Sequence, residues 1–283
     1  MRITFKNRPE HTGWAALEDM WREAERIEHF DGGWLYDHFY PIYGERTGPC
    51  FEGWTALSFL AGITKRLRLG LMVTGVPYRN PGLLANMVTT FDHFSRGRLD
   101  LGLGMGWFED EAKAYGMPLL PLGKRLSQFE EGCGVLTRLF TEPSVTHEGE
   151  YYTFVDAHME PKPVQKPHPP IMIGGVGEKR MLRIVARYAR DWNYPGGTPE
   201  DFRHKAGVLH SHCASIGRDP SEITLSCHIF VQPDVNATAD NAAAFAEAGA
   251  GHLCLYFDSN DDPSVIGRTA DAVVAALPQP QGR

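Results

Sequence analysis

Long apolar runs are missing from this 283-residue chain, and so is any close pairing among its cysteines. No stretch approaches the roughly 20 apolar residues that cross a bilayer. The amino-terminal Arg2-Ile3-Thr4-Phe5 alternates polar and apolar residues before meeting Pro9, unlike a secretory leader. The expectation is a cytoplasmic protein without membrane contact. Cys50, Cys133, Cys213, Cys227 and Cys254 are odd in number and none stands in Cys-x-x-Cys spacing, which fits reduced structural thiols. Positive charge is in deficit: 28 Lys and Arg against 35 Asp and Glu leave a net charge of −7. This argues against non-specific nucleic-acid binding but leaves room for a local basic pocket that takes an anionic cofactor. A metal signature is absent as well. Of the twelve histidines the densest group is His210-Ser211-His212-Cys213, on a predicted helix where residues two apart do not share a face.

What is present is a rhythm. Short β-like runs at 2–5, 33–36, 67–74, 98–105, 170–174, 190–193, 222–231 and 252–256 alternate with helical patterns at 13–28, 52–64, 81–94, 124–140, 178–189, 199–216, 237–248 and 263–276. The first helix shows the pattern clearly, with Trp14, Leu17, Trp21, Ala24 and Ile27 at spacings of three or four. Pro81 and Pro199 stand where a first helical turn begins, and Thr198 and Asp262 are plausible caps. Eight units in strict alternation predict an α/β fold, a (β/α)8 TIM barrel of the usual ~250 residues, as one domain over 1–283. A doubly wound sheet is the weaker alternative, because no Gly-x-Gly-x-x-Gly follows the first strand. Two long connections break the rhythm. One is Asp37 to Trp54; the other is an excursion over 141–170, with a hairpin turning at Glu148-Gly149 and a proline-rich return. Loops of that length are commonly lids or binding elements. The end, 278–283, reads as frayed.

Barrel active sites form at the C-terminal ends of the strands, and four places stand there. Asp37-His38-Phe39 offers a histidine able to exchange protons near neutral pH, with an adjacent carboxylate to tune it. Met72 through Pro81 is a proline-bounded loop that can bring backbone amides to a ligand. The run Leu99-Asp100-Leu101-Gly102-Leu103-Gly104-Met105-Gly106-Trp107 places three glycines on one strand face, leaving it bare for something flat, or simply relieving crowding in the barrel. Gly174-Gly175-Val176-Gly177 opens a helix and presents backbone N–H groups to a phosphate. Arg180, Arg183, Arg187 and Arg190 follow at helical spacing and read as a solvated outer stripe.

Together these segments resemble the bacterial luciferase-like superfamily, and more closely its branch using the deazaflavin coenzyme F-420. The resemblance is carried in register by Asp37-His38-Phe39, Glu52-Gly53-Trp54-Thr55, Arg68-Leu69-Gly70 with Val73-Thr74 and Tyr78 through Pro81, Ser95 through Trp107, Pro161 through Gln165, Gly174 through Gly177, and Ala186 through Asn193. It implies an oxidoreductase whose deazaflavin ring lies at the barrel mouth against Met72, Val73 and Thr74, with a non-proline cis peptide joining Met72 and Val73. Gly104 and Met105 would meet the ring region. Gly174, Gly175, Val176 and Gly177 would hold the phosphate, with Trp192 and Asn193 nearby. His38 would act as acid or base, assisted by Asp37. Relatives that oxidise alcohols or sugar phosphates carry a tryptophan and a glutamate where Ile42 and Trp107 stand here. The resemblance therefore implies a reductase giving hydride to an activated C=C or C=N bond of a small to medium organic substrate. Tyr40, Ile42, Tyr78, Trp107 and the 141–170 excursion would shape the substrate pocket. The same superfamily includes FMN-dependent monooxygenases that use O2 and flavin reduced by a partner reductase, which is the alternative function. Binding of cofactor without turnover is a third reading, and a homodimer is the family expectation.

Overall fold

The computed structural model describes residues 1–117, 119–258 and 261–278. From residue 279 onward, the expected frayed end lies outside the described residues. In chain order the strands are β1 (Arg2–Lys6), β2 (Gly32–Leu35), β3 (Arg68–Leu71), β4 (Thr74–Gly75), β5 (Leu99–Gly104), β6 (Val145–Glu148), β7 (Thr153–Ala157), β8 (Ile171–Gly174), β9 (Asp191–Tyr194), β10 (Thr224–Phe230) and β11 (His252–Tyr256). All but β6 and β7 pair in parallel. The ring closes where Leu69 and Gly70 of β3 lie opposite Leu99 and Asp100 of β5. With β3 and β4 taken as one interrupted strand, this is the eight-stranded barrel that the alternation implied. The continuous strand expected over 67–74 is broken at Met72-Val73, whose peptide bond is cis.

The helices are α1 (Trp14–Arg26), α2 (Gly53–Ile63), α3 (Pro81–Phe94), α4 (Glu109–Ala114), α5 (Leu122–Thr141), α6 (Met181–Tyr188), α7 (Pro199–Ser215), α8 (Val235–Glu247) and α9 (Pro263–Ala276). The α4 helix was not expected, since six residues are too few to display a helical period. Thr198 and Asp262 cap α7 and α9 by accepting the N–H groups of Asp201 and Ser264. The main core lies between barrel and helices, where the apolar stripe of α1 buries Leu17, Trp21 and Ala24. A second, smaller apolar layer of Trp34, Met72, Met172 and Cys254 fills the barrel interior.

At the N-terminal end of the barrel Asp100 is buried between Arg2 and Arg68, with Arg68 Nε 2.8 Å from Oδ1. Burial alone would raise its pKa, but the two guanidiniums hold it below the usual carboxylate range. Gln165 completes this plug, donating to Asp92 at 2.7 Å and to the Leu99 carbonyl at 2.8 Å while accepting from Arg68 at 3.0 Å. The 141–170 excursion is therefore no lid. Its hairpin β6–β7 is present, with Gly149–Tyr152 as the turn, and Glu131 of α5 holds that turn through the Tyr152 N–H at 2.9 Å. Its proline-rich return seals the end opposite the strand tips that build active sites.

The glycine strand also differs from expectation. Gly102 and Gly104 lie in β5, but Gly106 falls past its end at φ +74°, so the three do not share a face. Nor is the face bare. A Cβ on Gly102 would lie 2.0 Å from the Leu71 carbonyl oxygen, and one on Gly104 would lie 2.4 Å from Val73 Cγ2. The missing side chains admit the chain after β3 rather than a ligand. Gly102→Ala is accordingly expected to cost more than about 3 kcal/mol in urea unfolding, because backbone and not a flexible side chain stands in the way. Gly207→Ala, on the exposed face of α7 with nothing within 4 Å, should instead gain up to about 1 kcal/mol. Equal stability of Gly102→Ala and the parent would contradict the close approach.

Candidate active site

The ends of the barrel strands surround a cavity of about 900 Å³. The β1, β2 and β3 strands bring Lys6, Tyr36, Asp37, His38, Ile42, Met72 and Val73 to it, and the chain after them adds Gly75 and Tyr78. Gly104 ends β5, and Met105, Gly106 and Trp107 follow it. Gly174, Gly175, Val176 and Gly177 follow β8, with Lys179 and Arg180 just beyond, and Asn193, His228 and Tyr256 come from β9, β10 and β11. Of the residues expected here, Thr74, Trp192 and Tyr40 do not line the cavity. Thr74 is buried in β4, paired with Leu103 of β5. Tyr40 packs edge-on against Phe108, 5.4 Å between centroids. No residue of 141–170 lines it either.

His38 is nearly buried, and its Nδ1 lies 2.8 Å from Glu111 Oε2. Glu111 belongs to the unexpected α4. It also accepts the Phe39 N–H at 2.6 Å and the Tyr78 hydroxyl at 3.0 Å. Burial opposes its charge, yet these donors, His38 foremost, hold Glu111 below the usual carboxylate range. A carboxylate can only accept, so it fixes the proton on Nδ1 and leaves Nε2 for a ligand. Trp107, 59% exposed, stands with its ring edge-on to His38 at 5.6 Å and forms part of the mouth.

Asp37, expected to tune His38, does something else. Its two oxygens take Arg79 in a fork at 2.5 and 2.9 Å, and the Gly75 N–H lies 3.2 Å away. Arg79 reaches onward to Glu52, the cap of α2, at 2.8 Å. Asp37 thus ties the chain after β2 to the loop after β4, and the tuning role falls to Glu111. Glu10 was also missed. Fully buried, it accepts the Ile42 and Tyr43 N–H groups at 2.6 and 3.2 Å and so shapes the long connection after β2.

The glycine turn after β8 is pinned from beneath. Trp192 Nε1–H donates to the Gly175 carbonyl at 2.8 Å while its ring stacks on Phe202, 5.5 Å apart and 11° from parallel. Trp192 therefore supports the turn from the core instead of touching a ligand. The Gly175 N–H returns to the Asn193 carbonyl at 3.2 Å. An anion here would meet the amides from Val176 onward together with Lys179 and Arg180. Arg180 accordingly leaves the solvated stripe to which the sequence assigned it; Arg183 and Arg187 remain outside, facing Glu130 at 3.8 and 3.0 Å. Among the described residues no three His, Cys, Asp or Glu side chains gather as a metal site requires, and no helix is long and apolar enough to cross a membrane.

On the wall opposite that turn, Lys6 is 5% exposed, and burial pushes its pKa down to about 8. His228, buried beside Met72 Sδ at 2.7 Å, is pushed well below its ordinary value by the same desolvation. Two predictions arise. Arg79→Ala leaves Asp37 buried without its counter-ion and should cost about 3–5 kcal/mol in chemical denaturation. Between pH 8 and 10.5 the unfolded chain holds a proton on Lys6 that the folded chain has released, so this group makes stability rise with pH in that window. Lys6→Met should therefore be more stable than the parent by about 3 kcal/mol at neutral pH, the advantage shrinking to nothing by pH 10.5 when melting curves are compared.

A family model described as luciferase-like monooxygenase matches residues 2–273. An uncharacterised protein of Mycobacterium tuberculosis is 32% identical over 202 residues, 70% of this chain and 66% of its own length. The FMNH(2)-dependent dimethylsulfone monooxygenase of Pseudomonas putida is 31% identical over 174 residues, 59% of this chain and 47% of its own. The chain thus spans between about half and two thirds of the length of these curated relatives. Among solved structures, an F420-dependent secondary alcohol dehydrogenase in complex with an F420-acetone adduct shares the fold at a TM-score of 0.87 and 19% identity, over 98% of this chain and 99% of that one. The family model runs over nearly the whole barrel that presents His38 and the glycine turn, and the chain belongs to the luciferase-like monooxygenase family.

Proposed function

We propose that the protein is a deazaflavin (coenzyme F-420)-dependent oxidoreductase working as a reductase on an activated C=C or C=N bond of a small to medium organic substrate. The observation that carries this reading is the His38–Glu111 pair on the wall of a large, mostly apolar cavity whose far side ends in a pinned glycine turn. The cavity residues fit such a cofactor. Val73, lodged over Gly104, and Met72 give an apolar backing, while the amides from Val176 with Lys179 and Arg180 suit a phosphate and an anionic tail. When bound in its reduced form, the deazaflavin supplies hydride.

The chain supplies the rest. His38, with Nδ1–H held by Glu111, delivers a proton from Nε2 to the substrate atom next to the hydride acceptor. Glu111 stabilises the imidazolium before transfer, and the Phe39 N–H and the Tyr78 hydroxyl keep it oriented. Ile42 and Trp107 wall off water. A glutamate thus reaches His38 from α4 even though Trp107 stands directly after the glycine strand. The direction toward reduction rests on the apolar Ile42, which offers no polar group to an alcohol. Within this reading the enzyme is a cytoplasmic homodimer whose cofactor is reduced elsewhere.

A second reading, an FMN-dependent monooxygenase, is favoured by the relative named for its FMNH2 dependence. Titration with oxidised and reduced coenzyme F-420 and with FMN separates the two, since a deazaflavin reacts poorly with oxygen. Micromolar binding of F-420 without oxygen uptake is expected; binding of FMN alone, with oxygen uptake when it is reduced, would overturn the leading reading. Glu111→Gln can donate to Nδ1 and so select the wrong tautomer. It should lower kcat by about 100- to 10,000-fold while cofactor affinity is kept, and His38→Ala should do the same.

A further inference from the structure

Lys6 has no part in the proton transfer just described. It ends β1 and lines the cavity, and while its carbonyl accepts the Phe257 N–H at 2.9 Å, its ammonium has no hydrogen bond or ion pair among the described residues. Its contacts are two ring faces, Tyr256 at 4.4 Å and Tyr36 at 5.5 Å from the centroids. Glu10, the carboxylate that acts on it, and the carboxylates of the neighbouring strand ends are engaged elsewhere. Glu10 holds the Ile42 and Tyr43 amides, Asp37 holds Arg79, and Asp258 meets Arg8 at 3.1 Å. A buried ammonium without a counter-ion is costly, and ring faces offset only part of that cost. The charge is thus available to whatever occupies the cavity.

Its place in the barrel limits what that occupant can be. Counting around the ring, β8 stands four strands from β1, so the glycine turn with Lys179 and Arg180 lies diametrically across the mouth. An anion at Lys6 is not the group that the turn would hold. The Tyr36 ring that flanks Lys6 also meets the His38 ring edge-on at 5.5 Å, which sets the cation and the proton donor on either side of one side chain. We propose that Lys6 binds the carboxylate of an organic acid substrate whose reducible bond lies beside His38. The substrate class is then an unsaturated or imino carboxylic acid. This rests on the reductase reading for the reaction, although the ionic contact itself does not.

The test uses protein saturated with whichever cofactor it binds, titrated by calorimetry with cinnamate and crotonate and with their methyl esters. The parent should bind each acid at least about tenfold more tightly than its ester. Lys6→Met and Lys6→Gln should lose that preference while ester and cofactor affinities stay unchanged, and Lys6→Arg should retain it. No preference in the parent, or a preference that survives in Lys6→Met, overturns the proposal. Loss of cofactor affinity in the variants also overturns it, because Lys6 would then serve the cofactor. If the parent binds neither cofactor, the reductase reading fails. The same titrations on the cofactor-free protein then decide the Lys6 proposal by the same criteria.

Discussion

The close approach of the chain after β3 to the face of β5 is the contact on which the site depends. Leu71 and Val73 can lie where they do because Gly102 and Gly104 have no Cβ. That approach turns the chain out of register at Met72-Val73, ends β3, and lets the short β4 resume the pairing as Thr74 opposite Leu103. The detour puts Met72 and Val73 on the cavity wall and leaves the Gly75 N–H to meet Asp37. Asp37 then recruits Arg79, and Arg79 recruits Glu52. A small side chain on one strand thereby fixes three loops at the barrel mouth.

Charge inside the barrel follows one rule, with an exception. Asp100 is matched by Arg2 and Arg68, Asp37 by Arg79, and Asp191 by His252, whose Nδ1 lies 2.8 Å away and whose Nε2 meets Thr4. Each pair satisfies the demand that a buried ion carry both a partner and further hydrogen bonds. Asp191 also accepts from Ser226, which in turn takes the amide of Asn193 at 3.3 Å, so the network climbs from the interior to the cavity floor. These links run a polar network up the barrel beside the apolar layer of Trp34, Met72, Met172 and Cys254. Lys6 breaks the rule.

The barrel was legible because short β-like runs, some alternating as Arg2 to Phe5 do, recur between longer helical patterns with their own period, as Trp14 through Ile27 shows for α1. His38 and the glycine turn were legible from their places at strand ends. What could not be read was pairing across space. Glu111 lies 73 positions from His38 in a helix of six residues, and its one local sign was a run of three acidic residues, Glu109-Asp110-Glu111. Asp37 was assigned to His38 by adjacency, yet neighbours in an extended chain point apart, which is why it found Arg79 instead. Trp192 was placed near the ligand by the resemblance, whereas strand alternation sends Asn193 inward and Trp192 out against Phe202. The long excursion reads from its length as a lid or binding element, because length alone does not say which end of the barrel a loop covers. Gln165 decides it for the closed end.

Pinning from outside the cavity is what makes the mouth a defined site. Trp192 holds the glycine turn from the helix side, Glu10 holds the Ile42 segment, and Glu111 holds His38. Functional groups held this way cannot turn to satisfy one another when the cavity fills. His38 and Lys6 face the cavity from neighbouring strands, on either side of Tyr36. One can pass a proton and the other can hold a negative charge still. An apolar wall surrounds them with little competing solvent, and in such a setting both interactions gain strength over their values in water.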